Sequence, residues 1–323
     1  MAATDDVLRI LEARRGETVS GEGIAGQLGL SRAAVWKAVT ALRDRGFGIE
    51  ALSNRGYTLV SDRNRLHPET IRPHLRTREA LDLRVYDRVE GSTNDLVRGE
   101  AAAGAPEGLA VIADTQTGGK GRQGRSFLSP PGTGVYMSLL LRPVMAAEQA
   151  VAVTAAAAVA VCRAIEDLGG GPGEIKWVND LLSRGRKLCG ILAEGVLREG
   201  KVQSVVLGIG INTAAETEDF PPELRETATS VYLETGAAPD RAALAAALLR
   251  ELDALAEAYP RGRREVWTEY RARCVTLGKA VTLTDGTEGT AEDLGADFSL
   301  LVRLPDGALR RLRSGEASLH GRG

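Results

Sequence analysis

The sequence predicts three parts: a small helical unit ending in a hairpin, a mixed α/β domain, and a small β domain. Up to about residue 60, apolar residues recur at helical spacing and then at strand spacing. From about 79 to 270, strand-like and helical segments alternate, which is the pattern of an α/β domain. Beyond Cys274 only short strand-like segments remain, and two Asp-Gly pairs mark hairpin turns between them.

Changes in composition place the domain boundaries. A chain of 323 residues is long enough for two or three domains. The first domain covers 1–62, and a polar stretch with two prolines at 63–78 predicts a linker with about one helical turn. The α/β domain covers 79–270 and the β domain covers 271–323.

Serines mark the start of two helices in the first domain. Ser20 caps a short helix that ends at Leu28, and Ser31 caps the next one. A hairpin follows, from Ile49 to Val60. The order predicts a helix-turn-helix followed by a wing. The last helix has an inward face at i, i+3, i+4 and i+7, which consists of Val35, Ala38, Val39 and Leu42.

The outward face of that helix predicts contacts with DNA. Between Ser31 and Arg55 there are five cations against two anions, the local positive charge that phosphate contacts require. The net charge of the chain is −2, which excludes a globally basic nucleic-acid coat. A packing module with a solvated basic face is the alternative. The predicted DNA-binding residues are Ser31, Arg32, Trp36, Lys37 and Thr40.

Cysteine and histidine usage excludes a structural metal centre. Cys162, Cys189 and Cys274 are far apart and lack CxxC spacing, and the three histidines form no ligand pattern. We therefore expect free thiols in a reducing cytoplasm. The longest uncharged run, 149–162, is too short to cross a bilayer and predicts a buried alanine-rich helix.

A glycine-rich basic loop, GGKGRQGR at 118–125, is the strongest single signal for chemistry. Glycine loses much conformational freedom on ordering, so this loop costs stability unless its backbone has a special task. Exposed N–H groups flanked by Lys120, Arg122 and Arg125 predict an anion site. The loop is not a phosphate-binding Walker loop, because GK[ST] is missing. Alone, it is also compatible with a mobile surface loop.

Four further stretches and one single residue, Gln116, accompany the loop. Gly91–Asp95 reads as a capping box in which Ser92 and Asp95 bond reciprocally, or as part of a site. Gln116 precedes the glycines, where a neutral amide can bind a polar ligand. The others are Lys176-Trp177-Val178-Asn179-Asp180, then Arg186 to Leu192, and Gly208-Ile209-Gly210-Ile211-Asn212, a buried strand whose glycines allow a flat ligand to approach the backbone.

Together and in this order, these motifs resemble those of the biotin protein ligases, and the amino-terminal winged helix resembles that of the bifunctional ligase and repressor type. The resemblance covers essentially the whole chain. It implies a class II synthetase-like mixed-sheet catalytic domain and a C-terminal SH3-like β-barrel. It also implies that biotin and ATP form biotinyl-5′-adenylate, and that a lysine of a biotin carboxyl carrier domain then attacks it. Magnesium would be held mainly by the ATP phosphates, with Asp180 as a candidate carboxylate.

The resemblance also implies roles for individual residues. Biotin would contact Asn94 and the ligands of its ureido ring, Ser92, Thr93 and Gln116, with Lys120 and Gly121 of the loop beside them. Arg122 and Lys187 would be the catalytic cations, in contact with the carboxylate and the phosphate. The expected ATP or adenylate ligands are Arg122, Arg125, Lys176, Asn179, Asp180 and Asn212.

The sequence departs from the family pattern at four positions. Lys120 replaces an arginine, Phe127 a tryptophan, Val178 a proline and His320 an arginine. A lysine cannot form the bidentate fork of an arginine, so we expect Arg122 and Lys187 rather than Lys120 to carry the charge-bearing contacts.

Other interpretations remain open at the level of sequence. They are a lipoate ligase-like enzyme, a ligase with a vestigial DNA module, and a regulator that senses a ligand without catalysis. The neutral polar residues favour a ureido ring over a dithiolane, and the triphosphate-binding residues argue against a mere sensor. The resemblance implies an adenylate-promoted homodimer on operator DNA and no membrane partner. The segment 213–227 is a candidate for ordering on ligand binding.

Overall fold

The structure is a computed structural model that describes residues 2–52, 55–60, 65–75, 81–143, 150–198, 201–258, 263–313 and 317–319. The helices are α1 (Ala2–Ala13), α2 (Gly21–Leu28), α3 (Arg32–Asp44), α4 (Pro68–Ile71), α5 (Thr93–Ala102), α6 (Ala150–Asp167), α7 (Val231–Thr235), α8 (Arg241–Ala258) and α9 (Arg263–Arg273). The strands are β1 (Thr18–Val19), β2 (Ile49–Leu52), β3 (Gly56–Leu59), β4 (Asp82–Tyr86), β5 (Leu109–Ala113), β6 (Gly134–Leu141), β7 (Glu174–Lys176), β8 (Asp180–Ser183), β9 (Arg186–Arg198), β10 (Lys201–Asn212), β11 (Ala280–Leu283), β12 (Glu288–Leu294), β13 (Leu300–Arg303), β14 (Leu309–Leu312) and β15 (Ala317–Leu319).

The amino-terminal unit is a helix-turn-helix with a wing, as predicted. Ser20 Oγ accepts a hydrogen bond from Gly23 N at 2.9 Å, and Ser31 Oγ accepts one from Ala34 N at 3.1 Å. Between the two helices Gly29 has φ 64°, a conformation that favours glycine. The structure adds β1, which pairs with β3. Two residues are too few to show strand alternation in the sequence.

The α/β domain is built on a seven-stranded mixed sheet with the order β4-β5-β6-β10-β9-β8-β7. Only β4 and β5 pair in parallel among these strands. The alanine-rich helix α6 packs against α8 and the sheet, and its small side chains allow close approach. This arrangement confirms the predicted mixed α/β class. No helix in the described part of the chain is long and apolar enough to cross a membrane.

The segment assigned to the linker packs against both of its neighbours. Leu66 and Ile71 are buried in the core of the α/β domain. On the other side, the rings of His67 and Phe47 meet edge to face at 5.6 Å between centroids. Burial lowers the pKa of His67 to about 4, with a further contribution from the positive charge of Arg45. His67 is therefore a neutral core residue at this junction near pH 7.

The carboxy-terminal strands form an antiparallel five-stranded sheet with the order β14-β13-β12-β11-β15, which agrees with the predicted small β domain. This domain contacts the α/β domain at one of the sequence motifs. Trp177 Nε1 donates to Phe298 O at 2.9 Å, and Trp177 N donates to Thr276 Oγ1 at 2.9 Å. Tyr270 OH, from α9, donates to Val178 O at 3.1 Å. The β domain and α9 thereby hold the backbone that precedes Asn179.

An ion-pair network joins α6 to α9, and we expect it to stabilise the fold. Arg273 donates to Glu166 Oε2 and to Glu269 Oε1, each at 2.9 Å. The bond from Arg273 lowers the pKa of Glu166. A carboxyl with a depressed pKa stabilises the fold at neutral pH and loses that contribution in acid. Arg273→Ala should therefore lower the free energy of unfolding by about 2 kcal/mol at pH 7, measured by urea titration.

The matched control is Arg271→Ala. Arg271 forms an exposed pair with Asp293 at 2.7 Å, and because water screens this pair the expected loss is clearly smaller than in Arg273→Ala. The difference between Arg273→Ala and the parent should shrink as the pH falls below the ordinary glutamate pKa of 4.5. Equal losses in the two variants at pH 7 would show that the network contributes no more than a surface pair.

Candidate active site

A pocket lies above the middle strands of the seven-stranded sheet. The start of α5, the glycine loop and strands β6, β9 and β10 surround it. It brings together Gln116 and residues of four sequence motifs, namely Gly91–Asp95, the glycine loop, Arg186–Leu192 and Gly208–Asn212. Its lining consists of Ser92, Thr93, Asn94, Gln116, Lys120, Phe127, Met137, Gly190, Leu192, Gly208, Ile209 and Gly210.

Gln116 is fixed in place at one end of this pocket. Its Oε1 accepts hydrogen bonds from Thr93 N at 2.8 Å and Thr93 Oγ1 at 3.1 Å, and lies 3.3 Å from Ser92 Oγ. Its Nε2 donates to Ser129 Oγ at 2.8 Å. Bonds on both sides of the amide define which end is the acceptor. Gln116, Ser92 and Thr93 thus form one set of neutral donors and acceptors.

Asn94 continues this polar set into the sheet. Its Oδ1 lies 2.6 Å from Ser138 Oγ, and its Nδ2 donates to Glu194 Oε2 at 2.7 Å. Ser138 and Glu194 were not predicted from the sequence. Ser138 stands among apolar residues in β6, and this is the signal by which it could have been found, whereas β9 contains other charged residues besides Glu194 and offers no such signal. Asn94 is buried and its amide is bonded at both ends.

The predicted capping box differs from the observed contacts. Ser92 does cap α5, but its Oγ accepts from Asn94 N at 3.3 Å rather than from Asp95 N. The carboxylate of Asp95 instead accepts from Lys120 Nζ at 2.6 Å and from Arg98 at 3.1 Å. The ion pairs with these two cations hold the Asp95 carboxylate near the glycine loop.

The glycines of β9 and β10 allow side chains to lie directly on the sheet. A Cβ at Gly208 would collide with the Asn94 amide, and a Cβ at Gly210 would lie 2.5 Å from the Phe127 ring. The same ring would lie 3.2 Å from a Cβ at Gly190. The space next to these glycines, which the sequence predicts for a flat ligand, is thus occupied here by the side chains of Asn94 and Phe127.

The glycine loop is a tight turn held by its own backbone. Gly121 N donates to Arg125 O at 2.7 Å, and Phe127 N donates to Gly119 O at 2.8 Å. Gln123 has φ 56°. Lys120 is exposed on the loop and bonded to Asp95, whereas Arg125 is exposed and shows no side-chain partner among the described residues.

Arg122 points from this loop towards the motif at the end of β7. Its guanidinium donates to Asn179 Oδ1 at 3.2 Å, a contact between residues 57 positions apart. Asn179 in turn donates from Nδ2 to Ile191 O at 2.9 Å. Burial lowers the pKa of Arg122, and the nearby carboxylate of Asp180 opposes this shift. Arg122 remains a cation near pH 7, because guanidinium does not deprotonate in proteins.

Lys187 reaches the same motif from β9. Its Nζ lies 2.7 Å from Asp180 Oδ1. Its backbone N–H donates to Thr227 O at 2.7 Å, and its carbonyl accepts from Thr229 N at 2.8 Å. The two predicted catalytic cations therefore contact adjacent residues, Asn179 and Asp180.

The remaining predicted ATP or adenylate ligands lie at different distances from this centre. Asn212 is buried and donates from Nδ2 to Thr229 O at 3.0 Å, so it shares this segment with Lys187. Lys176 pairs with Asp180 across β7 and β8, and its Nζ shows no partner within the described residues. Arg125 bonds to Gly121 and Arg122 through its backbone, and its side chain shows no hydrogen bond or ion pair within the described residues. The Trp177–Val178 peptide is cis, at the position of the family's proline.

The second predicted site is the outer face of α3. Trp36 is 57% exposed, and Arg32 and Lys37 are exposed beside it. The predicted wing tip at 53–54 lies outside the described residues, as does His320. The exposed cations and the inward apolar face agree with the predicted orientation of this helix.

The fold and the site define a winged-helix unit joined to a small-molecule ligase domain, and comparisons with known proteins agree. The model of the biotin/lipoate A/B protein ligase family matches residues 86–212, and that of the HTH domain matches residues 4–58. The bifunctional ligase/repressor BirA of Bacillus spizizenii is 35% identical over 97% of this chain and 98% of its own. Its namesake in Escherichia coli is 30% identical over 94% of each chain.

A solved structure supports the assignment. The biotin protein ligase of Aquifex aeolicus, in complex with biotin and ATP, superposes with a TM-score of 0.62 and 27% identity, covering 74% of this chain and 98% of that one. The chain belongs to the biotin protein ligase family, in its bifunctional ligase/repressor form.

Proposed function

We propose that this protein activates biotin with ATP at the pocket described above, transfers biotin to a carrier lysine, and represses transcription through its winged helix. The activity is that of an ATP-dependent biotin protein ligase. The observation that carries the proposal is the convergence of Arg122 and Lys187 on Asn179 and Asp180. Two cations from distant parts of the sequence lie beside one polar pocket.

This convergence addresses the main obstacle to adenylation. The carboxylate of biotin must approach the α-phosphate of ATP, and both groups are negative. Cations fixed beside both groups reduce this repulsion and stabilise the charge that develops in the transition state. Arg122 is half-buried, so its charge is less screened by water. No covalent intermediate on the enzyme is required, since the carboxylate itself is the nucleophile.

The neutral end of the pocket suits the ureido ring of biotin. Ser92, Thr93 and Gln116 offer hydroxyl and amide groups without net charge. Asn94 and the loop backbone at Lys120 and Gly121 complete the predicted biotin contacts. A dithiolane ring has no N–H or C=O group to bond with these polar groups, whereas the ureido ring has both. The arrangement therefore favours biotin over lipoate.

The residues around Asp180 suit a magnesium ion carried by ATP. Magnesium prefers one or two carboxylates with phosphate oxygens and water. Within the described ranges no three His, Cys, Asp or Glu side chains cluster at one point. Asp180 is the candidate carboxylate, with Lys176, Arg125 and Asn212 as further ligands of the triphosphate or adenylate. The bound ion would neutralise phosphate charge.

The second half-reaction and the regulation involve other proteins and DNA. The partners are a biotin carboxyl carrier domain, operator DNA and a second copy of this chain with adenylate bound. The three cysteines are free and buried, which suits a reducing cytoplasm. When the substrates bind, the contacts Arg122–Asn179 and Lys187–Asp180 must break, or each cation must contact a substrate in addition to its present partner.

The central test is a product assay. Purified protein with biotin and ATP-Mg should release one pyrophosphate for each biotinyl-adenylate that it retains, measured by coupled pyrophosphate detection and mass spectrometry. Lipoate in place of biotin should give a rate at least about tenfold lower, because its dithiolane ring cannot form the hydrogen bonds that the ureido ring forms with the site's polar groups. Absence of both products with biotin would end the ligase proposal. Equal rates with lipoate would contradict the specificity.

The DNA-binding role has its own test. Arg32→Ala or Lys37→Ala should weaken operator binding and reduce the slope of log K against log salt by about one, since one phosphate contact is lost. Ligation should remain intact. Arg88→Ala, at an exposed arginine of the α/β domain, is the charge-matched control and should leave binding unchanged. Unchanged operator affinity in both α3 variants would favour a packing role for the first domain.

A further inference from the structure

The outward face of α3 offers few groups that can read bases by hydrogen bonds. The helix contains no asparagine or glutamine, the residues that pair with adenine in the major groove. Thr40 Oγ1 donates to Trp36 O at 3.0 Å. Arg43 Nε donates to Ile49 O at 2.7 Å and so connects the helix to the wing. Two of the polar side chains on this face are thus engaged within the domain.

The same face presents an apolar surface instead. Ala33, Trp36, Lys37 and Thr40 are spaced i, i+3, i+4 and i+7, so they form one stripe. Three of the four carry a methyl group or a ring towards the outside. Trp36 is more exposed than the other exposed large apolar side chains in the described chain, at 57%. A single exposed apolar side chain is ordinary, but an indole in the middle of a recognition helix is placed where base edges lie.

The major groove contains one apolar group that matches such a stripe. Thymine carries a C5-methyl there, whereas the other bases present only hydrogen-bonding atoms and ring carbons. Lys37 within the stripe and Arg32 beside it suit phosphates, which fix register without specifying sequence. If both cations bind phosphates rather than guanine, apolar contacts supply a large share of the sequence preference.

We propose that Trp36 contacts the C5-methyl group of a thymine in each operator half-site, and that this apolar contact is a main determinant of specificity. The inference rests on the proposed repressor function and adds the chemical group that is read. Uracil differs from thymine only in lacking this methyl, so it isolates the contact.

The experiment begins with a duplex selected from a randomised library by the full-length protein in the presence of biotin and ATP-Mg. The duplex is then synthesised with deoxyuridine at every half-site thymidine. The parent protein should bind the uracil duplex about 4- to 15-fold more weakly, the range expected when one buried methyl group is lost in one or in both half-sites. Base pairing and backbone charge are unchanged between the two duplexes.

A double-mutant cycle, in which each protein variant is measured with both duplexes, assigns this loss of affinity to Trp36. In Trp36→Ala the penalty for uracil should fall below about twofold, whereas Trp36→Phe, which retains an apolar ring, should keep most of it. Lys37→Ala is the control: it should weaken binding to both duplexes equally and preserve the uracil penalty. Thermal unfolding and ligation should match the parent in all variants, since Trp36 and Lys37 are exposed.

Two results would overturn this inference and leave the proposed repressor function in place. One is a selected operator that binds its uracil form as tightly as its thymine form. The other is a uracil penalty that persists unchanged in Trp36→Ala. Failure to select any duplex above non-specific binding has a different meaning, because it overturns the repressor function as well.

Discussion

Arg122→Ala should release biotinyl-adenylate about 10- to 100-fold faster than the parent enzyme. Arg122 is half-buried beside Asn179, and its guanidinium is the loop's only cation that contacts the KWVND motif in the described structure. Charge-assisted hydrogen bonds to an adenylate phosphate are worth about 1.5–3 kcal/mol, which corresponds to this change in off-rate. The measurement is dissociation of labelled adenylate from pre-formed complex under chase by unlabelled biotin and ATP.

The matched control for this prediction is Arg88→Ala. Arg88 is an exposed arginine paired with Glu90, close in sequence to the start of α5. It carries the same charge and should leave the off-rate unchanged. Equal off-rates in Arg122→Ala and the parent would remove Arg122 from the set of adenylate ligands. Equal acceleration in both variants would indicate a general effect of net charge.

Lys187→Met should reduce the rate of adenylate formation about 10²- to 10³-fold, with a smaller change in the apparent affinity for biotin. The lysine contributes most when charge develops between carboxylate and phosphate, so its loss affects kcat more than KM. Methionine retains most of the aliphatic stem, and the backbone bonds to Thr227 and Thr229 do not depend on the side chain. The measurement is single-turnover adenylate formation by rapid quench.

Lys279→Met is the control for Lys187→Met. Lys279 is exposed at the start of the β domain, so its substitution makes the same chemical change away from the pocket. Its adenylation rate should equal that of the parent. A Lys187→Met enzyme with an unchanged rate would mean that Lys187 serves only as a structural partner of Asp180.

Local sequence patterns were sufficient for much of the fold. In β5, Leu109–Ala113, five consecutive apolar residues between turn signals are a pattern that indicates a strand. The capping serines of α2 and α3 were likewise readable. Strand β9 was not predicted, since glycines and charges interrupt its apolar alternation. Its structure depends on the long antiparallel pairing with β10.

The sequence supplied a candidate set of site residues, whose roles remain predictions, but it did not supply the contacts between them. The motifs named Arg122, Asn179, Asp180 and Lys187 before the fold was known. Their pairing is a tertiary property, because residues 57 positions apart meet only once the loop packs against the end of β7. The bonds of Asp95 show the same limit: local capping rules place its carboxylate on the helix terminus, whereas Lys120 draws it to the loop.

The most direct test of the central claim is a double-mutant cycle on single-turnover adenylate formation, with Arg122→Ala, Lys187→Met and the combined variant. If both cations act on the same two negative groups, their effects are coupled, and the combined loss should be at least about tenfold smaller than the product of the single losses. Losses that multiply without coupling, or single variants that react at the rate of the parent, would contradict a shared role for these cations.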